Sequence, residues 1–105
     1  VQGYQLSFFT QQDRMVQRQT VAQWLLELAR ANGIAGATLM AAEEGFGHDR
    51  KLRSAHFIEL ADQPIEVTMA LSRDEADRIF ALLKQHGVDV FYILTPIEYG
   101  MSSQR

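Results

Sequence analysis

The chain of 105 residues contains no cysteine. That absence excludes disulfide scaffolds, thiolate metal centres and thiol nucleophiles, and it fits a reducing, cytoplasmic compartment. Proline is scarce, with two in the chain, and neither repeats nor low-complexity tracts divide it. Basic charge is not in excess. Ten lysines and arginines face thirteen aspartates and glutamates, for a net charge of −3. No nucleic-acid partner is expected from that balance. The apolar runs fall far short of a membrane span, so direct membrane insertion is not expected. No positively charged leader precedes an apolar segment, so no signal peptide is expected. What remains is ordinary for a globular protein: 47% hydrophobic and 22% charged residues exclude wholesale disorder. The length suits one domain over residues 1–100, with 101–105 as a flexible polar tail.

Periodicity supplies the elements. Tyr4 to Thr10 alternates as a strand does. Gln11 to Gln19 is polar and reads as a loop, with a helical turn near Met15 and Val16. Thr20 with Gln23 three residues on resembles a capping box and opens a helix to Asn32. Gly33 stands where a left-handed helix stop is wanted. Ala37 to Ala42 predicts a second strand. Glu43 to Arg53 holds two glycines and dense charge, and predicts a loop. Phe57 to Leu60 predicts a short strand. Ile65 to Leu71 alternates more cleanly than any other segment. Ser72-Arg73-Asp74-Glu75 is a capping box with acid in the first turn. Ala76, Ile79, Phe80 and Leu83 follow at helical spacing, and Gly87 ends that helix. Val88 to Tyr99 predicts the last strand, with Pro96 marking an edge or bulge position.

The order strand, helix, strand, strand, helix, strand predicts an α+β fold. It is the ferredoxin-like βαββαβ arrangement, a four-stranded antiparallel sheet with two helices on one face. The other face of such a sheet is normally polar. Here the last strand carries Val88, Val90, Tyr92 and Leu94 on one side, yet Phe91 and Ile93 on the other. The first strand adds Phe9 opposite Leu6 and Phe8. A face that apolar marks a contact surface, which points to self-association in a closed ring.

Several stretches resemble a known family. Gly36-Ala37-Thr38, a strand, and then Gly45-Phe46-Gly47 opening a charged loop are similar to the nitrogen-regulatory PII proteins. Glu27-Leu28-Ala29-Arg30, Gly33-x-x-Gly36-Ala37-Thr38, Gly45-Phe46-Gly47-His48 and the strand after Pro64 resemble a small PII-like branch known as a domain of unknown function. The likeness runs from about Tyr4 to Gly100. It implies a homotrimer whose sheets face the three-fold axis. It also implies ligand clefts between subunits and a T-loop that touches a membrane transporter or channel, or a target enzyme. The chain departs from PII where that family holds nucleotide phosphates. Gln85-His86-Gly87-Val88-Asp89 has one glycine and no adjacent lysine, and Glu98-Tyr99-Gly100-Met101 replaces arginines after the last strand.

On that resemblance, Gly36, Thr38, Gly45, Phe46 and Gly47 are the expected lining of an effector cleft. The effector would be an adenine nucleotide or another small anion. His48, Arg50, Lys51 and Arg53 gather positive charge in the 44–56 loop, where arginine and lysine make charge-assisted bonds to phosphate or carboxylate. A solvated loop with incidental charge is the simpler reading of the same residues. Phe46 suits base stacking or a subunit interface. No metal site is expected, since His48 and His56 match no common zinc spacing. No enzyme is expected either. Ser72 reads as a helix cap, and Glu43 and Glu44, adjacent on a strand, point to opposite faces. The readings carried forward are a regulatory PII-like trimer, a structural or adaptor trimer without effector, and a metal-binding trimer of the copper-tolerance type.

Overall fold

A computed structural model describes residues 1–41, 44–46, 52–54 and 63–105. Strand β1 (Gln2–Gln11) leads to a small ladder of β2 (Met15–Val16) and β3 (Gln19–Thr20), then to helix α1 (Val21–Ala31). Strand β4 (Gly36–Ala41) follows, and then a second ladder of β5 (Glu44–Phe46) and β6 (Leu52–Ser54). Strand β7 (Pro64–Leu71), helix α2 (Arg73–Gln85) and strand β8 (Phe91–Glu98) complete the domain. The main sheet has the order β4-β7-β1-β8, and every pairing in it is antiparallel. This is the ferredoxin-like arrangement that the element order implies.

Alternation decides which side chains meet the helices. On β7, Ile65, Val67, Met69 and Leu71 are buried, while the residues between them are half-buried. Register places Val67 opposite Phe8 and Met69 opposite Leu6, so the two central strands offer one apolar face. Val21, Ala22, Trp24, Leu25 and Ala29 of α1 and Ala76, Ile79 and Leu83 of α2 close over it. Each large side chain so buried contributes about 1.5–3 kcal/mol. The ring of Phe80 on α2 meets Phe8 edge-on, with centroids 6.1 Å apart.

Both helices start and stop as their sequences direct. Thr20 Oγ1 accepts the Gln23 N–H at 3.1 Å. Ser72 and Glu75 form the reciprocal capping box. At the far ends, Gly33 and Gly87 have φ of +70° and +67°, the left-handed conformation that favours glycine. In each case the glycine N–H and the next N–H turn back to carbonyls of the last turn, Arg30 and Ala29 for α1, Lys84 and Leu83 for α2. Ile34 and Val88 then tuck against the core, which is the hydrophobic closure of a Schellman stop.

Three expectations need correction. Met15 and Val16 form a strand rather than a helical turn, because they pair with Thr20 and Gln19. The last strand begins at Phe91, since Val88 is spent on the stop of α2. The segment from 43 to 53 is not wholly loop: Gly45 lies opposite Arg53 in the β5–β6 ladder. After β8 the polar tail includes a short 3-10 turn, Ser102–Gln104, and Arg105 bonds the Glu98 carboxylate. The expected strand at 57–60 lies outside the described residues.

Candidate functional site

Register fixes which loops share an end of the sheet. Across the face away from the helices, Met40, Glu66, Phe9 and Phe91 form one row. Thr38, Thr68, Ser7 and Ile93 form the next, and Gly36, Ala70, Gln5 and Thr95 the third. The chain therefore leaves β4 after Ala41, and enters β8 before Phe91, at the same end. The β1–α1 connection also starts there, after Gln11. Three connections that differ widely in sequence position converge at that end.

Gly36 and Thr38 sit on the edge strand β4, Gly36 exposed and Thr38 exposed toward the open face. Gly45 and Phe46 lie in β5, and Arg53 lies in β6 opposite Gly45. The antiparallel ladder thus brings the first glycine of the motif beside the last cation of the loop. Gly47, His48, Arg50 and Lys51 fall outside the described residues.

A cavity of about 420 Å³ opens at the other edge, between α2 and β8. Phe80, Leu83 and Lys84 of α2 line it together with Gly87, Val88, Asp89, Val90 and Tyr92. Phe80 and Lys84 are four residues apart and so share a helix face. Tyr92 stands edge-on to Phe80 with ring centroids 4.8 Å apart. The result is an aromatic wall, an aliphatic floor and one ammonium at the rim. A planar ring with an anionic tail is the ligand shape such a surface takes, by apolar contact at one end and a charge-assisted bond at the other.

Sequence reasoning missed this cavity. The reading that no lysine adjoins the segment from Gln85 to Asp89 is corrected by the structure: Lys84 precedes it directly and lies in the same wall as Gly87. The spacing of Phe80 and Lys84 was the available signal. In one protomer the cavity and the β4 residues do not meet, because β7 and β1 lie between the two edges. Among the described residues no group of three histidines, aspartates or glutamates is placed to hold a metal ion. Among them, too, no helix is long and apolar enough to cross a membrane.

The comparisons with known proteins agree with this fold. The family model DUF190, an "Uncharacterized ACR" family, matches residues 3–99. No curated protein matches the chain. Among solved structures, a Thermus thermophilus protein described as PII-like signalling superposes with a TM-score of 0.67 at 18% identity, over 92% of this chain and 88% of that one. CPII of Thiomonas intermedia, a nitrogen regulatory PII-like protein bound to ADP, AMP and bicarbonate, gives 0.72 at 12% identity, over 99% and 93%. The apo form of CPII gives 0.53 at 13% identity, over 95% and 96%. At these identities the likeness establishes the fold.

Proposed function

The chain belongs to the DUF190 family and has the PII-like fold, and from that premise we propose that it is a regulatory protein acting by binding rather than catalysis. Its ligand is a small anionic effector, an adenine nucleotide above all, held in clefts between the subunits of a homotrimer. The observation that carries this reading is the cavity walled by Phe80, Tyr92, Lys84 and Gly87, which opens at the same end of the sheet as the β5–β6 ladder.

A ring explains how two separated edges make one site. In the proposed ring, the β4 edge of one subunit lies beside the β8 edge of the next, a heterologous contact that closes by rotation. Gly36, Thr38, Gly45, Phe46 and Gly47 of one subunit then face the aromatic cavity of its neighbour. His48 and the loop cations Arg50, Lys51 and Arg53 contact the effector's phosphates or a partner protein. An effector that prefers one arrangement of the 44–56 loop shifts its population, and with it the surface offered to a transporter, channel or target enzyme. That CPII binds ADP, AMP and bicarbonate supports the choice of ligand class.

Thermal unfolding with ADP, AMP and bicarbonate tests the reading. A ligand at 100 times its dissociation constant adds about 2.7 kcal/mol of stability. Lys84→Ala removes a charge-assisted bond and weakens ADP binding about tenfold or more. A protein whose melting is indifferent to all three compounds, while still trimeric, is an adaptor and not an effector-binding regulator.

A further inference from the structure

The β1–α1 connection contains a feature that the ligand reading does not use. Strands β2 and β3 are joined by Gln17 and Arg18, with φ of 48° and 68°. A two-residue turn of this kind requires left-handed conformations at both positions, which asparagine and glycine adopt readily and glutamine and arginine do not. Something outside the turn must therefore hold it. The Gln17 side-chain amide bonds His86 Nδ1 at 2.8 Å. The His86 ring in turn packs edge-on against Trp24, a buried residue of α1, with centroids 5.5 Å apart.

A second tie lies at the foot of the hairpin. The Arg14 guanidinium donates to the Asp89 carbonyl. The Arg14 backbone is itself fixed, since its carbonyl accepts the Val21 N–H at 2.8 Å where α1 begins. Gln17 and Arg14 thus grip the first and last residues of His86–Asp89. That segment carries the left-handed Gly87 and supplies Gly87, Val88 and Asp89 to the cavity wall. The two contacts join residues 69 and 75 positions apart, so they are tertiary ties and not features of a local turn.

We propose that Arg14 and Gln17 are positioning residues for the cavity: without touching the ligand, they hold the 86–89 backbone in the shape that receives it. This rests on the nucleotide reading for the identity of the ligand. A pre-shaped wall binds more tightly than one that must be ordered on binding, because the ordering entropy is already spent. The guanidinium suits the task, since its planar fork fixes direction as well as charge.

The test pairs ADP calorimetry with amide hydrogen exchange on the intact chain. Arg14→Ala should weaken ADP binding about tenfold, the effect of losing one charged hydrogen bond. It should also speed exchange at Gly87 and Val88 by more than it speeds exchange at the core amides of β1 and β7, which report only the accompanying fall in global stability. Gln17→Ala should act in the same direction. Arg14→Lys keeps a charged donor but not the planar fork, and should restore only part of the affinity. Unchanged exchange in Arg14→Ala overturns the brace. Faster exchange with unaltered ADP affinity overturns its role in binding. If the wild-type protein takes up no ADP, the nucleotide reading falls by itself, and the exchange rates still decide whether these side chains hold the segment.

Discussion

Gly3 is buried where β1 passes under the ring of Tyr99. A Cβ at this position would lie 2.3 Å from Tyr99 Cε1 and 2.5 Å from the Leu71 carbonyl oxygen. The ring can swing, but the carbonyl belongs to the β1–β7 ladder, where Tyr4 and Leu71 are partners. Gly3→Ala is therefore expected to cost about 1–3 kcal/mol through overpacking. A fall of roughly 4–8 °C in melting temperature per kcal/mol reads that loss in a chain of this length. Ser7 shows the opposite case, a polar group that is buried yet satisfied. It is 5% exposed, and its hydroxyl bonds the Thr68 hydroxyl at 3.0 Å. Thr68 also donates to a Glu66 carboxylate oxygen at 2.6 Å. Neither residue's role is visible in a one-dimensional reading, because each depends on what the neighbouring strand places opposite.

Helix α2 and strand β7 were legible because local chemistry and tertiary contacts agree there. Ile65 to Leu71 alternates since one side meets the helices and the other does not. The capping box is equally direct: the Ser72 oxygen accepts the Glu75 N–H at 3.1 Å, and Glu75 Oε1 accepts the Ser72 N–H at 2.8 Å. Ser72→Ala should destabilise the fold by about 1 kcal/mol, and Ser72→Asp, which keeps an accepting oxygen, should lose little. A urea titration that finds Ser72→Ala neutral would remove the cap from the account. The β2–β3 hairpin was illegible for a physical reason. Its turn residues are poor ones for that turn, and its anchor, His86, lies 69 positions away. Strand β8 shows little alternation in burial because it lies at the sheet edge, with Phe91, Tyr92 and Ile93 each about half exposed. Pro96 fits that edge, where a missing N–H breaks no ladder on the outer side.

At the scale of the molecule, the open face of the sheet is the outstanding surface. Phe91 is 51% exposed, Met40 49% and Ile93 48%, and Phe9 packs against Phe91 with centroids 5.9 Å apart. By register, Glu66 is the one ionisable residue on this face among the described residues. Apolar surface of this extent, almost free of charge, favours contact with a second copy over contact with water. Ile93→Lys combined with Phe91→Lys is expected to convert the proposed trimer to single chains in light scattering, with the fold retained by circular dichroism. A wild-type protein that scatters as a single chain at micromolar concentration would leave the shared-cleft site without its second half. The cavity wall alone would then have to account for any binding.

The sequence by itself determined the kind and order of the main elements, the helix boundaries and the apolar excess of one sheet face. These follow from periodicity, capping and glycine placement, which act over a few residues. It also exposed the glycine-bracketed segment that carries the family likeness. Only the tertiary structure decided that Phe80, Lys84 and Tyr92 share a cavity, that Gly45 lies opposite Arg53, and that Arg14 and Gln17 reach the 86–89 segment. Those relations depend on sheet register and on how α2 lies against β8. Contacts between residues tens of positions apart set both, and no local pattern records them.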